Sequence, residues 1–288
     1  MTSPEERQDL DVPAWTLRIA RAFGYSEVRA RWKVIHFKQG LRRLRASIGF
    51  STGQRTVLRH RLRQTPMVTF ALLLAMFVIY ARMFLLRPGQ GYQSWDSSSL
   101  VAFGAYWPPR IRDGEWWRLG TANFLHIGLW HLGFNALALG QVGPQLEETF
   151  GRARVLFFFV ATGVFAFAAC LLWNLEVVSA GASGSLMGLI GVAAAWGQRD
   201  GSSIGRGVRD QMLKWALYTI VFGYFIGANN VAHAGGFLSG VALGACYRPA
   251  LLAQTKDSWA SRMLGLVGLL ATVGCFARCM FPGATPLP

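Results

Sequence analysis

The sequence has few charged residues, and acidic residues are the scarcest of them. Asp, Glu, Lys and Arg make up 15% of the 288 residues, against roughly 25% in typical soluble domains. A single soluble globular domain is therefore not expected. Disorder is excluded over most of the length, because disordered segments are poor in aromatic residues, whereas aromatic residues make up 13% of this chain.

Cysteine is also scarce. The four cysteines all lie in apolar stretches rather than at regular spacings in loops, which disfavours both a disulfide framework and a zinc knuckle. We interpret them as small apolar side chains. They are Cys170, Cys246, Cys275 and Cys279.

In place of charge, the sequence has long apolar runs. A transmembrane helix needs about 20 mainly apolar residues, and seven runs approach or reach that length. The fifth run is short, and a start near Met212 would lengthen it. The pattern predicts an all-α, polytopic membrane protein. The runs cover residues 67–86, 125–146, 155–175, 177–196, 215–228, 230–247 and 264–281.

The distribution of basic residues predicts the orientation of these spans. Cytoplasmic loops are richer in Lys and Arg than loops on the other side of a membrane, and residues 1–65 hold 14 of the 29 Lys and Arg. A cytoplasmic N-terminus places 23 basic residues inside and six outside. Because acidic residues stand at positions 5, 6, 9 and 11, no secretory signal is expected. A mitochondrial transit peptide stays open as an alternative.

Residues 1–65 also predict contact with a membrane surface. Trp15, Ile19 and Phe23 recur at intervals of four, as on one face of an amphipathic helix. Together with the positive charge, this spacing favours binding to an anionic leaflet. Nucleic acid is the weaker alternative, because lipid phosphates lie close to a tail that is anchored at a bilayer. We expect no nucleic acid partner.

The segment 88–123 is too polar to span a bilayer. Its tryptophans, Trp107, Trp116 and Trp117, are typical of the membrane interface. We therefore predict a partly embedded extracytoplasmic loop. An ordinary mobile linker is the alternative.

Five of the polar side chains within the apolar spans are candidates for function. Ser183 lies in the fourth and His233 in the sixth, while His126, His131 and Asn135 lie in the second. In the predicted orientation these three spans run in the same direction, with each polar residue near the start of its span. Polar residues within a membrane are costly and usually functional. They indicate one shared site in the outer third of the membrane.

Glycines follow both Ser183 and His233 at intervals of four. Stripes of small residues allow helices to pack closely in lipid, so the fourth and sixth helices are predicted to touch. The alternative is that these glycines serve packing alone and that Ser183 bonds its own helix. The glycines are Gly184 and Gly188 after the serine, and Gly236, Gly240 and Gly244 after the histidine.

Nucleophilic acyl transfer is the chemistry that fits this site. A serine hydroxyl becomes a nucleophile when a base removes its proton, and neutral imidazole is the usual base. Ser183 and His233 are the predicted nucleophile and base. We predict a dyad, because neither span contains a carboxylate. The Ser183 N–H, the Asn135 amide and the His131 ring are candidate donors to the oxyanion.

Two other kinds of site are disfavoured. Zinc bound by His126, His131 and His233 would lack an HExxH pattern and a carboxylate or cysteine at the same depth. A transporter would more often place charged residues near the membrane midplane, where this sequence is nearly all apolar. We expect neither a metal nor a cofactor.

Taken together, these residues resemble the rhomboid family of intramembrane serine proteases over most of residues 66–247. The combination is highly specific, although the GxSG pattern alone would be weak. The segments that carry the resemblance are Trp117–Arg118, HIGLWHLGFN at 126–135, Glu147 with Gly151, GASG at 181–184 and AHAGGFLSG at 232–240.

The resemblance implies a role for each matching residue. Ser183 would be the nucleophile and His233 the general base. Oxyanion stabilisation would fall to His131, Asn135 and the Ser183 N–H, with His126 nearby. Structural roles are implied for Trp117, Arg118, Glu147, Gly181, Gly184, Gly236 and Gly240.

The resemblance also implies an architecture. The fold would be a rhomboid-like bundle of six core transmembrane helices around a water-filled cavity, plus one C-terminal helix. Three regions follow from this. They are a basic cytoplasmic region at 1–65, a catalytic core at 66–247 that contains the loop 88–123, and a cytoplasmic loop with the seventh helix at 248–288.

The function implied is that of an endopeptidase that cleaves single- or multi-pass membrane proteins in or near their transmembrane segments, without a cofactor. The six-plus-one arrangement favours a bacterial inner membrane or a secretory-pathway membrane. We expect the bacterial inner membrane, with the active site toward the extracytoplasmic side. The competing class is a catalytically inactive rhomboid-like protein that binds client transmembrane helices. Such proteins lack the serine or the histidine, and this sequence has both. Substrates and oligomeric state stay open.

Overall fold

The computed structural model describes residues 65–247 and 258–281. The basic region 1–64, the connection 248–257 and the end 282–288 lie outside the described residues, as does the face predicted at Trp15, Ile19 and Phe23. All regular elements within the described ranges are helices. In chain order they are α1 Met67–Leu86, α2 Ser97–Ala102, α3 Pro108–Arg112, α4 Arg118–Thr121, α5 Leu129–Phe150, α6 Arg152–Leu172, α7 Ser183–Asp200, α8 Ser203–Phe225, α9 Asn230–Ala245 and α10 Trp259–Met280.

Seven of these helices are long, and three are both long and apolar enough to cross a bilayer by length and composition. The three are α1, α6 and α10. Each exposes large apolar side chains, such as Leu74, Phe165 and Leu270, which hydrocarbon would cover. The chain is an all-α integral membrane protein.

The predicted start of the fourth span at residue 177 is wrong by six residues, since α7 begins at Ser183. The preceding segment is extended because Tyr106 and Ser179 exchange two backbone hydrogen bonds of 2.9 and 3.1 Å. Gly181 then adopts φ +142°, a conformation that favours glycine. Hydropathy alone does not register this pairing with a distant loop.

The start of the fifth span is also wrong, and by a wider margin. Helix α8 begins at Ser203 rather than at residue 212 or 215. The Ser202 hydroxyl caps it by accepting the Gly205 N–H at 3.0 Å. The first three turns of α8 carry three charged residues, Arg206, Arg209 and Asp210, so a search for apolar runs misses them.

The loop between α1 and α5 is an ordered layer rather than a mobile linker. It contains the short helices α2, α3 and α4, and it buries Phe103, Tyr106 and Ile111 almost completely. The guanidinium of Arg118 is buried too. It donates to the carbonyl oxygens of Val101 and Ala105 at 2.7 and 3.0 Å and thereby ties α4 to the start of the loop.

Helices α7 and α9 pack backbone against backbone. A Cβ placed on Gly236 would lie 2.1 Å from the Gly184 carbonyl oxygen, and one on Gly240 would lie 2.0 Å from the Gly188 carbonyl oxygen. Both distances are below van der Waals contact, so only glycine fits. The Cα hydrogens of Gly184 and Gly188 themselves face α6, where a Cβ would meet Ala166 and Thr162. Close packing of α7 on both neighbours fixes the position of Ser183.

Glu147, near the end of α5, contacts the start of α1. Its buried carboxylate accepts the Val68 N–H at 3.2 Å, and the Thr69 N–H and hydroxyl at 2.6 Å each. The first N–H groups of a helix have no intrahelical acceptor, so this side chain caps α1 from a different helix. Glu147 thus connects two helices, and it lies far along α5 from His131.

Candidate active site

Ser183 and His233 meet where α7 and α9 begin. The serine is the first residue of α7 and the histidine is the fourth of α9. The Ser183 Oγ lies 3.0 Å from the His233 Nε2, which is within hydrogen-bond distance. The histidine is 4% exposed and the serine is half-buried, so the hydroxyl is accessible while the imidazole is fixed.

Asn230 contacts the other side of the imidazole. The Asn230 Oδ1 lies 3.0 Å from the His233 Nδ1, and the Asn230 Nδ2 donates to the Ile220 carbonyl oxygen at 3.1 Å. The second contact sets the direction of the amide, because a carbonyl oxygen can face only the N–H₂ side. The Oδ1 therefore faces the imidazole as an acceptor, and the hydrogen of a neutral His233 belongs on Nδ1.

His131 lies beside the glycine that precedes the serine. A Cβ on Gly181 would lie 2.5 Å from the His131 Cε1, so this glycine is required both by its backbone angle and by the ring next to it. The His131 Nδ1 faces the Ile127 N–H at 3.4 Å. With that nitrogen as acceptor, the Nε2 of a neutral ring is the donor.

Asn135 is on the same face of α5, one turn further along. It is buried, and its Nδ2 donates to the His131 carbonyl oxygen at 2.8 Å. The amide carries a second N–H beside this one. One of the two N–H groups is therefore engaged within the helix, and the other is a candidate donor to an oxyanion.

His126 is in the core rather than at the surface of the site. It is fully buried, and its ring centroid lies 5.4 Å from that of His131 in an edge-to-face arrangement. The residue supports the position of His131 by packing. Among the residues that the structure describes, no group of three or more His, Cys, Asp or Glu is arranged to hold a metal ion.

Trp117 and Arg118 lie in the loop layer and do not touch Ser183. The Arg118 guanidinium lies 4.7 Å from the centroid of the Trp117 ring and forms a salt bridge of 2.6 Å with Glu115. Five residues beyond Trp117, the Ala122 carbonyl oxygen accepts the Gly181 N–H at 2.9 Å. The pair thus shapes the layer that holds the segment before Ser183.

This arrangement suits attack by a serine oxygen on a carbonyl carbon. It combines a hydroxyl, an imidazole with its free nitrogen toward that hydroxyl, and the N-terminus of α7. The first N–H groups of a helix lack intrahelical acceptors and carry partial positive charge, so developing negative charge beside Ser183 is stabilised.

Comparison with known families identifies the fold that carries this site. The Rhomboid domain family matches residues 113–250, a range that includes all five polar residues of the site. Residues 113–250 thus form a Rhomboid domain.

Similar proteins occur in bacteria and plants. The chain is 33% identical over 179 residues to the rhomboid protease GluP of Bacillus subtilis (strain 168), covering 62% of this chain and 34% of GluP. It is 34% identical over 133 residues to the putative rhomboid protease YdcA of the same organism, covering 46% of this chain and 62% of YdcA. It is 32% identical over 181 residues to the mitochondrial RHOMBOID-like protein 6 of Arabidopsis thaliana, covering 57% of this chain and 53% of that protein. The matched segments thus span between about a third and three fifths of these relatives.

Sequence reasoning missed Asn230, which is in direct contact with the rhomboid histidine. A signal was present, because Asn230 stands three residues before His233 and a spacing of three places two side chains on one face of a helix. The neighbouring Asn229 obscured it, since either asparagine could cap the helix. The structure assigns the cap to Asn229, whose Oδ1 accepts the Ala232 N–H at 3.0 Å.

Proposed function

We propose that this rhomboid is an intramembrane serine endopeptidase that hydrolyses peptide bonds in or near transmembrane segments of membrane proteins. The observation that carries the proposal is the 3.0 Å contact between the Ser183 Oγ and the His233 Nε2. Ser183 is the nucleophile and His233 is the general base. A nucleophile and a base within hydrogen-bond reach, with the base oriented by a third group, are the signature of covalent catalysis.

Asn230 acts in this proposal as the positioning residue of the base. Its Oδ1 accepts the hydrogen of the His233 Nδ1, which leaves the lone pair of Nε2 directed at the serine. An acidic third member is absent from this contact, and an amide takes its place. The amide fixes the ring and its tautomer without adding charge to a membrane-embedded site.

The reaction proceeds in two halves. The Ser183 Oγ bonds to the carbonyl carbon of the substrate while its proton passes to the His233 Nε2. The C–N bond then breaks as that proton moves to the leaving amine. In the second half water attacks the acyl ester, His233 accepts a proton from the water, and return of that proton to Oγ releases the carboxylic product and restores the serine.

Negative charge develops on the substrate oxygen in both halves. The N–H groups at the start of α7 supply donors to it, and the His131 Nε2–H and the Asn135 amide are the side-chain donors of the proposal. Preorganised donors of this kind contribute a factor of about 10² to 10³ in rate each.

The orientation in the membrane is proposed from the distribution of basic residues. We propose a cytoplasmic N-terminus, with the active site toward the extracytoplasmic side of a bacterial inner membrane. In that orientation 23 Lys and Arg lie on the cytoplasmic side and six on the other side, as is typical of membrane proteins. Single- or multi-pass membrane proteins are the proposed substrates.

Cleavage of a single-span test protein by purified protein in liposomes tests the function. Wild type, Ser183→Ala and His233→Ala are compared, with Ser239→Ala as the matched control. Ser239 is also on α9, but its hydroxyl donates to the Gly236 carbonyl oxygen of its own helix. We expect cleavage by wild type and by Ser239→Ala, and a loss of at least about 10³-fold in the two site variants.

Equal cleavage by all four proteins would overturn the assignment of the dyad. If none cleaves, a serine-reactive fluorophosphonate separates two cases. Labelling of wild type but not of Ser183→Ala would leave a protease with narrow substrate selectivity. Absence of labelling in the wild type would instead favour an inactive rhomboid that binds client helices.

A further inference from the structure

Four consecutive residues of the loop layer contact both the seventh long helix, α10, and residues 181–185 around Ser183, which we call the serine segment. We call residues 120–123 the bridge segment. Gly120 and Thr121 touch α10, while Ala122 and Asn123 bond to the residues two positions before and two positions after Ser183. The two halves of the bridge segment thus contact two different elements, α10 and the residues around Ser183.

The contact with α10 is steric and close. A Cβ on Gly120 would lie 2.6 Å from the Cys275 Sγ, so the sulfur rests against the glycine. One turn further along α10, the Cys279 thiol is fully buried and its Sγ lies 3.9 Å from the Thr121 carbonyl oxygen. The two cysteines are on one face of the helix, and that face covers the bridge segment.

Basic side chains hold the same end of α10 against the loop layer and against α1. The Arg278 guanidinium lies 5.3 Å from the centroid of the Trp117 ring, within cation–π distance. From α1, Arg82 donates through Nη1 to the Cys279 carbonyl oxygen at 3.3 Å. These contacts fix the end of α10 that carries Cys275 and Cys279.

The contact with the serine segment consists of hydrogen bonds. The Ala122 carbonyl oxygen accepts the Gly181 N–H at 2.9 Å. The Ser185 hydroxyl donates to the Asn123 Oδ1 at 2.9 Å, and the Asn123 Nδ2 donates to the Leu119 and Gly120 carbonyl oxygens at 3.0 and 3.1 Å. All the hydrogen-bonding atoms of the Asn123 amide are therefore used, and both residues of the Asn123–Ser185 pair are buried.

From these contacts we propose that Asn123 is a positioning residue for Ser183 and that α10 acts on the serine through the bridge segment. The proposal rests on the proposed function of Ser183. The Gly181 and Ser185 contacts flank the nucleophile on both sides, so they set where its Oγ lies relative to the His233 Nε2. A displacement of about 1 Å at a reacting group can lower a rate by about 10².

A double-mutant cycle tests the hydrogen-bonded half. Asn123→Ala, Ser185→Ala and the double variant are assayed in liposomes for kcat and KM, and active sites are counted by exhaustive fluorophosphonate labelling. We expect kcat per active site to fall about tenfold in each single variant, with KM unchanged. The double variant should fall no further than Asn123→Ala, because that change already removes the bond to Ser185 together with the Asn123 bonds to Leu119 and Gly120.

A steric pair tests the half that involves α10. In Gly120→Ala the new methyl collides with the Cys275 sulfur, and kcat is expected to fall about fivefold or more. Cys275→Ala alone removes the sulfur and should change kcat less than twofold. The combination Gly120→Ala/Cys275→Ala should regain most of the wild-type kcat. Thr272→Ala is the control on α10, because its hydroxyl donates to the Gly268 carbonyl oxygen of its own helix.

Hydrogen exchange of residues 179–186 provides a readout that needs no catalysis. We expect faster exchange of these N–H groups in Gly120→Ala than in wild type, and recovery in the double variant. If the wild type neither cleaves nor labels, the proposed function fails and exchange alone decides the coupling. Unchanged exchange in Gly120→Ala, or a normal kcat in Asn123→Ala with an active wild type, would overturn the inference.

Discussion

Helices α7 and α8 are consecutive in the chain and pack against each other, yet their surfaces are opposite in kind. Twelve of the 18 residues of α7 are buried, while four of the 23 residues of α8 are. Where neighbouring helices approach α7 most closely, it carries glycines, among them Gly184, Gly188 and Gly191. Helix α8 presents large apolar side chains outward, among them Leu217, Tyr218 and Phe222.

The difference shows how two kinds of apolar sequence serve different ends in a membrane. Between helices in lipid, packing rather than the hydrophobic effect drives association, because lipid tails are as apolar as leucine. A helix that positions a nucleophile therefore needs small residues, whereas a helix that faces lipid needs only apolar ones. The contrast predicts that a substitution costs more in α7 than the same kind of substitution in α8.

The largest contrast is expected between two glycines. In Gly188→Ala the new Cβ would lie 2.0 Å from the Thr162 Oγ1 and 2.1 Å from its Cβ, and Thr162 is stiff because it is β-branched. Gly207→Ala in α8 meets nothing within 4 Å. We expect Gly188→Ala to lose activity about 10²-fold or to unfold, and Gly207→Ala to gain up to about 1 kcal/mol. Unfolding in SDS titrations and liposome cleavage measure both.

Normal activity in Gly188→Ala would contradict this expectation. It would show that α6 can move away from α7 without disturbing Ser183. The contrast between the two helices would then concern burial alone and not the placement of the nucleophile.

Two leucines give the next contrast. Leu189 of α7 is fully buried, whereas Leu217 of α8 is 58% exposed. Leu189→Ala leaves a cavity and should lower the free energy of unfolding by about 2 to 5 kcal/mol. Leu217→Ala exchanges one lipid-facing apolar surface for a smaller one, so the loss should stay below about 1 kcal/mol. Equal losses in reconstituted bilayers would mean that α8 packs against something other than lipid.

A buried carboxylate of α5 and an exposed carboxylate of α8 give a similar contrast for charged groups. Glu147 is buried and accepts three hydrogen bonds at the start of α1, so Glu147→Gln should cost about 2 kcal/mol of unfolding free energy. Asp210 of α8 pairs with Arg209 at 2.7 Å on the surface. Asp210→Asn should cost no more than about 1 kcal/mol. In neither variant should kcat per active site change, since neither carboxylate contacts the serine segment.

The same contrast explains which parts of the molecule could be predicted from the sequence. The seven long helices follow from apolar runs, and Ser183, His233, His131 and Asn135 follow from polar residues within them, because both signals are local. The polar start of α8 has no apolar signal and was missed. The start of α7 was misplaced because a loop about 75 residues upstream pairs with Ser179.

Contacts between distant residues were beyond the reach of the sequence for a physical reason. Nothing in the neighbourhood of Asn123 indicates Ser185, which lies 62 positions away, and a cysteine on an apolar helix carries no sign of the glycine it touches. The sequence therefore predicts which polar residues are candidates for the reaction. The packing that places those residues depends on side chains that look unremarkable one at a time.

The smallest effect is expected at Asp96 in the loop layer. It tests whether the start of this layer is as stable as the buried helix α7 or as exposed as α8. Hydrogen bonds from the Ser98 hydroxyl and the Ser99 N–H hold the pKa of the Asp96 carboxyl well below its usual range. Because this folded pKa is below the unfolded value of about 3.9, the carboxylate stabilises α2 above about pH 4. That contribution is lost as the pH falls through the folded pKa.

Asp96→Asn removes the titration, so two differences in hydrogen exchange of residues 97–102 are expected, after correction for intrinsic rates. At pH 7 exchange should be faster in the variant than in wild type, because the neutral amide is a weaker acceptor for the Ser98 and Ser99 donors. Below about pH 4 exchange should rise in wild type while it stays level in Asp96→Asn. Asp113→Asn, at the exposed end of α3, is the matched control. If exchange in wild type is already fast at pH 7, the hydrogen bonds of α2 protect its N–H groups no better than an exposed surface would. The ordered part of the loop layer that supports Ser183 would then begin only after residue 102.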